Sequence, residues 1–411
     1  MHIEKLNSAE YEEYASKSKY ITFHQKEYWG KLKQAGGWNY DLIGLKKDSK
    51  IIAATMVLSK KLPLGLKLFY APRGFLIDYN NKELLKKFIL EIKEYVKNNK
   101  GFMLKIDPYV EYKTRDIDGN IVENGVDNSN IVDFLKNNGF KHYGFNKDIT
   151  KELQPRWMYV LDLKNKTEED VFAGFNKHYR KTIRRTEKQG LIIEQISKDR
   201  LMDYKNIMEH TSSRRGFIDR PYSYYENMYD KIGDNLIINI CYLDVELGIK
   251  KFQDEIDKIK SYQDIKDYHL KEIDDNKKKI DLYEGYKSKY GSKIPLAGTM
   301  SIICGKEYLN LFGGAYEEFM HYDAQYLIKW FTMKDALKRK CDIYNFYGIS
   351  GNFEKENNDM YGIYEFKKGF GGRVVELIGE FDLIISKPKY NLYNFMLKIY
   401  NKLKKIKGLI L

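Results

Sequence analysis

The sequence predicts two copies of one mixed α/β domain, with a helical hairpin inserted into the second copy. Three observations predict it. At 411 residues the chain is too long for one ordinary domain. Strand-like and helix-like patterns alternate along it. One order of elements occurs twice: "KIIAATMVLSKK" with "LKLFYAPRGF" returns as "KIPLAGTMSIICGKEYLNLFGGAY", Thr55-Met56 matching Thr299-Met300.

In the first copy, "YDLIGLKK" and "KIIAATMVLSKK" read as strands, and "LKLFYAPRGFLID" as a strand running into a turn. "NKELLKKFILEIKEYVKNNK" has Leu84, Leu85, Phe88, Ile92 and Val96 at helical spacing. "GFMLKIDPY" is a strand that Pro108 ends. In the second copy, the helix "YDAQYLIKWFTMKDALKRK" and the strand "CDIYNFYGIS" follow in the same order. Between two strands of that copy lies a proline-free stretch. There Ile249, Phe252, Ile256 and Ile259 recur at coiled-coil spacing, and "DDNKKK" around Asp275 suggests the turn of an antiparallel hairpin. The boundaries drawn from this are a first domain over 1–150, a second over 151–245 and 293–379, and a hairpin over 246–292. The segment 380–411 is a candidate to complete the first domain. The C-terminus "KYNLYNFMLKIYNKLKKIKGLIL" is a basic amphipathic helix, suited to an anionic membrane surface or to docking on the protein's own body.

Composition narrows the function classes. A formal charge of +13 leans towards a polyanionic partner. Cys241, Cys304 and Cys341 are widely spaced, and buried free thiols are expected rather than a disulfide framework. The histidines show no metal spacing, so no metal is expected. The charged N-terminus does not read as a signal peptide, and no apolar run is long enough to span a membrane, so a cytoplasmic location is expected, with peripheral contact at the inner face of the cell membrane.

No nucleophile elbow, P-loop or dinucleotide fingerprint is present. Basic residues interleaved with aromatics stand out instead, in "WGKLKQAGGW", in "NKHYRKTIRRTEKQG" and in "TSSRRGFIDRPYSYYENMY". Each has a plain reading as a solvated surface. The stretch "YGIYEFKKGFGG" reads as a strand or hairpin edge, whose glycines would let a ligand approach the backbone. If it is a strand, Lys367 and Lys368 point to opposite faces.

These motifs resemble the FemABX family of aminoacyl-tRNA-dependent peptidoglycan peptidyltransferases. "FHQKEYWGKLKQAGGW" looks like its early motif, "APRG" like its turn and "RRGFIDRPYSYY" like its Arg/Tyr segment. "YNFYGISG" with "YGIYEFKKGFGGRVVELIGEFDL" resembles its C-terminal signature. The hairpin points to the FemA/FemB-like branch. The resemblance implies two tandem GNAT-like acyltransferase domains. It also implies transfer of an amino acid (glycine, serine or alanine) from aminoacyl-tRNA to the stem peptide of a lipid-linked precursor, with no cofactor beyond the charged tRNA. By this likeness Lys33, Arg220 and Tyr224 would bind the precursor. Phe366 and Lys367 would lie at the reacting ester, and the glycines would let RNA approach. Tyr316 is a candidate pocket wall. Asp107 ends a strand and is a candidate base, although a strand-end Asp before Pro is more often a turn cap. The alternatives are a non-catalytic RNA- or membrane-binding protein on a decayed acyltransferase fold, and a coenzyme A-dependent acetyltransferase, whose pyrophosphate loop "FGGAYEEF" does not match.

Overall fold

The computed structural model describes residues 1–356 and 358–408. Side chains beyond Leu403, and residues 409–411 of the expected C-terminal segment, lie outside the described residues. The chain forms two compact units. One comprises Met1–Tyr159, Gly348–Tyr364 and Arg373–Leu411; the other comprises Val160–Tyr347 and Glu365–Gly372.

The first unit holds a seven-stranded sheet, in the order Ile3–Lys5, Asn39–Lys47, Lys50–Lys61, Lys67–Ala71, Met103–Ile106, Phe381–Ile384, Phe140–His142. Its strands pair antiparallel except where Lys67–Ala71 meets Met103–Ile106. A parallel pair needs a crossover, and the helix Lys82–Asn98 supplies it. That helix starts where the Asn81 side chain accepts a bond from the Leu84 amide. It buries Leu85, Phe88, Ile89, Ile92 and Val96 against the sheet.

The second unit repeats the plan. Leu236–Asp244, Lys293–Cys304 and Glu307–Ala315 form an antiparallel run, with Leu191–Gln195 at the edge. The helix Ala324–Lys338 crosses over to Ile343–Gly348, which lies parallel to Glu307–Ala315. The parallel register runs from Glu307↔Ile343 to Leu309↔Asn345, while Glu307–Ala315 continues to its end paired with Lys293–Cys304. All three cysteines are buried with free thiols.

The excursion between Leu236–Asp244 and Lys293–Cys304 is a helical hairpin. Its arms are Val245–Lys260 and Asp267–Tyr290. The Val245 amide donates to the Ser292 carbonyl at 2.9 Å, so the two ends meet. Ile256, Ile259 and Ile273 form the seam, with Ile280 against it. The turn lies at 261–266, not around Asp275, which sits inside the second arm. Asp274 is exposed there and pairs with Lys278 one turn on, so "DDNKKK" is a solvated helical face. The root of the hairpin is embedded in the unit. The Tyr283 hydroxyl donates to the Gln189 carbonyl at 2.9 Å, and Tyr286 and Tyr290 pack on Phe319.

The C-terminal helix Lys387–Gly408 docks by its first turns. Tyr390, Tyr393 and Met396 pack against Leu66, Phe102 and Met103 in the first unit. Leu392, Phe395, Ile399, Tyr400 and Leu403 are exposed. Among the described residues no helix is long and apolar enough to cross a membrane.

Candidate active site

The segment carrying Lys367 is not a strand. Tyr361–Lys368 is a short helix, and the next strand starts at Arg373. The opposite-faces argument therefore fails as stated, but the two lysines still meet different surroundings. Lys368 is partly exposed and lies 3.7 Å from Glu365. Lys367 is also only partly buried, and its ammonium donates to the Tyr347 carbonyl at 3.2 Å. Burial pushes it down to about 7, with the charge of Lys329 adding to the effect.

The glycines after it serve the chain's own packing. A Cβ on Gly369 would fall 2.2 Å from the Tyr179 ring. Gly372 has φ +105, and a Cβ there would fall 2.2 Å from the Val160 carbonyl oxygen. These positions are filled by protein, so the expected close approach of RNA to this backbone is not how the glycines are used.

Aromatic rings surround the site. Phe366 packs at 5.2 Å from Tyr326 and 5.4 Å from Phe370, and Tyr179 lies 4.7 Å from Tyr326. The Tyr179 hydroxyl donates to the Phe366 carbonyl at 3.1 Å, fixing the end of the short helix. Tyr347, whose carbonyl receives Lys367, has φ 66, an uncommon conformation for a non-glycine residue. Its amide donates to the Asn345 side chain at 2.7 Å, which holds it there.

Sequence reasoning missed a second lysine. Lys329 stands in the apolar run "QYLIKWF" on the helix Ala324–Lys338 and is 9% exposed. Its ammonium donates to the Asn310 side-chain oxygen and lies 3.5 Å from the Thr299 hydroxyl. Burial pushes it down to about 7 as well. A lysine inside an otherwise buried helical face was the available signal, since such a residue is rare without a purpose.

The remaining candidates fall into three places. Arg220 and Tyr224 meet in the second unit, the guanidinium 5.4 Å from the ring, at the start of the helix Tyr222–Ile232. Arg220 is exposed and able to receive an anion. Tyr316, in the same unit, packs on His210 at 5.0 Å. Lys33 and Asp107 belong to the first unit. The Lys33 ammonium lies over the Trp29 ring at 4.3 Å. Asp107 is buried at the end of its strand. It accepts the Arg73 amide at 2.8 Å and lies 3.4 Å from the Arg73 guanidinium. Arg73 has φ 55, so this carboxylate holds the "APRG" turn in its left-handed conformation. Burial raises it to about 6 in spite of Arg73.

The basic helix "NKHYRKTIRRTEKQG" is partly spoken for. Arg180 donates to the Ala173 carbonyl at 2.8 Å, Arg184 lies over Phe172, and Arg185 pairs with Asp323.

Comparison with known proteins decides the family. The model of the FemAB family matches residues 6–398. The chain belongs to the FemAB family. Two aminoacyltransferases FemA are similar to it. That of Staphylococcus epidermidis (strain ATCC 35984) is 31% identical over 417 residues, covering 97% of this chain and all of the relative. That of Staphylococcus aureus (strain bovine RF122) is 30% identical over 421 residues, covering 98% of this chain and all of the relative. A crystal structure of FemX aligns with a TM-score of 0.79 at 26% identity, covering 95% of this chain and 99% of that one. The two mixed α/β units of this FemAB-family chain thus follow a plan already seen in a solved relative.

Proposed function

We propose that this chain is an aminoacyltransferase that moves an amino acid from aminoacyl-tRNA to the stem peptide of a lipid-linked peptidoglycan precursor, building the interpeptide bridge. The observation that carries this reading is the family match along almost the whole chain, with FemA aminoacyltransferases as full-length relatives. Lys367, held by the Tyr347 carbonyl and next in the chain to Phe366, whose ring packs on Tyr179 and Tyr326, supports it as the place of chemistry.

The acyl group arrives as an ester, already activated, so the reaction needs neither a protein nucleophile nor a cofactor. The acceptor amine attacks the ester carbonyl and a C–N bond forms. The tetrahedral oxyanion then collapses, the C–O bond to the tRNA ribose breaks, and the proton lost by the amine ends on the ribose oxygen. Lys367 supplies the positive charge that meets the oxyanion or the adjacent RNA phosphate. Phe366 packs beside the reacting ester. Lys33, Arg220 and Tyr224 hold the precursor, Arg220 presenting a planar fork of donors to phosphate. Tyr316 lines the pocket wall. Asp107 is kept as the candidate base, although its pairing with Arg73 favours a role in shaping the turn.

The exposed end of the C-terminal helix contacts the anionic membrane surface where the lipid-linked acceptor resides. The helix carries seven lysines and no acidic residue over residues 387–408. The activity is tested by incubating the protein with a charged tRNA pool and lipid-linked precursor and weighing the product. A gain of whole amino-acid residues is expected. Binding of both substrates without a mass gain would favour a non-catalytic protein on this fold.

A further inference from the structure

We propose that the loop over residues 216–220 is a membrane-docking tip: Phe217 and Ile218 enter an anionic bilayer, and Arg214, Arg215 and Arg220 beside them meet its headgroup phosphates. This rests on reading Arg220 as a ligand of the lipid-linked acceptor.

The loop joins two helices of the second unit, Leu201–Arg215 and Tyr222–Ile232. Gly216 ends the first with φ 71, a left-handed cap that stops the helix. Pro221 stands at the N-cap of the second. Between them Asp219 anchors the loop. Its carboxylate accepts the Lys205 ammonium at 2.7 Å and the Tyr225 hydroxyl at 2.6 Å. Anchored in this way, the loop still leaves its two large apolar side chains in water. Phe217 is 45% exposed and Ile218 is 96% exposed. Scattered exposed apolar residues are ordinary, but among the described residues no other large apolar side chain stands out as far as Ile218.

Charge indicates what covers the tip. Arg214, Arg215 and Arg220 make no ion pair among the described residues. The Arg220 guanidinium lies over the Tyr224 ring at 5.4 Å, and the Arg214 Nε is buried without a hydrogen-bond partner. The one acid of the loop, Asp219, is already neutralised by Lys205. An apolar pair is therefore flanked by three cations whose counter-charge must come from outside. RNA offers phosphates but no apolar layer for an isoleucine. An apolar protein groove takes the isoleucine but leaves the arginines unpaired. The boundary of an anionic bilayer offers both, phosphates above and acyl chains below. A lipid-linked acceptor holds its headgroup at the same level, within reach of Arg220.

Vesicles without precursor test the loop apart from the reaction. The native cysteines are buried, so in full-length Ile218→Cys an environment-sensitive thiol dye reports on position 218. Its emission should shift to the blue with phosphatidylglycerol vesicles and change little with phosphatidylcholine vesicles. The same dye in Met202→Cys, an exposed site near the far end of the helix and about 20 Å away, should not shift. Phe217→Ser with Ile218→Ser should weaken binding to phosphatidylglycerol vesicles by about tenfold or more, and should keep transfer to an acceptor analogue that lacks the lipid, which shows the variant to be folded. Arg214→Gln with Arg215→Gln should weaken vesicle binding by about fivefold for each charge removed. No blue shift at 218, or an equal shift at 202, overturns the docking role. Unchanged vesicle binding by the arginine variant, with binding of deacylated tRNA reduced, assigns those cations to RNA and overturns it too. If position 218 enters the bilayer but the unaltered protein transfers nothing to lipid-linked precursor, the docking tip stands and the reading of the acceptor falls.

Discussion

Lys367 and Lys368 are adjacent in sequence and differ in what surrounds them. Lys367 is held by the Tyr347 carbonyl, whereas Lys368 lies beside Glu365. Lys367→Ala should lower transfer from charged tRNA by about 10²–10³-fold, the usual worth of a charge aimed at a developing oxyanion. Lys368→Ala should cost little, as loss of a surface pair does. Equal losses that high salt reproduces would mean that both lysines merely attract tRNA. Gly372→Ala should destabilise the protein by about 3 kcal/mol, since the methyl would meet the Val160 carbonyl at a φ that favours glycine; an unchanged denaturant midpoint would contradict this. The lysine pair also sets a pH dependence. Both lysines hold their protons less tightly folded than unfolded, so unfolding takes up protons and stability rises as pH climbs from about 7 towards the ordinary lysine range. Thermal melts between pH 7 and 9 should show that rise, and a Lys329→Met, Lys367→Met double variant should flatten it. At this scale the sequence was only partly legible. Lys367 stood out through its motif, but Lys329 was lost inside an apolar helix pattern that was read for its period and not for its exception. The glycines were visible, but what fills the space beside them depends on Tyr179 and Val160, far away in the chain.

The elements were more legible than the residues, because period and order survive without knowledge of contacts. The helix and strand that follow each run of strands were visible in both copies, and their parallel pairing emerges only in the fold. The hairpin was visible by its isoleucines, but its turn was misplaced because "DDNKKK" has turn composition and yet is stabilised as helix by Asp274 and Lys278. Its root is part of the core, which the charge pattern did not reveal. Replacing residues 255–279 by a short Gly/Ser turn should therefore leave the melting temperature nearly unchanged, because Phe252 and Tyr283 still pack. Removing the whole of 246–291 should destabilise the second unit by uncovering Gln189 and Phe319. If both deletions behave alike in a melt, the division into root and tip is wrong. The C-terminal helix divides likewise at Met396. Truncation after Met396 keeps the docked tyrosines, and should leave stability unchanged while weakening binding to anionic vesicles. Unchanged vesicle binding would count against a membrane role for the exposed stripe of Leu392, Phe395, Ile399 and Leu403.

For the whole molecule, the excess of positive charge has a location. Residues 245–292 contain eleven lysines and eleven acidic residues, so the hairpin is electrically balanced and is not the element that attracts polyanions. The net +13 resides in the two α/β units and in the C-terminal helix, with its seven lysines. Binding of tRNA should accordingly weaken steeply with salt and survive loss of the hairpin tip. The central claim is that this chain joins a tRNA-borne amino acid to a cell-wall precursor at Lys367. The most direct measurement is the mass of the lipid-linked precursor after incubation with a charged tRNA pool, for the unaltered protein and for Lys367→Ala side by side. The account predicts a product heavier by whole amino-acid residues with the unaltered protein, and a rate about 10²–10³-fold lower with the variant. Near-normal transfer by Lys367→Ala, or no mass gain with either protein, would contradict it.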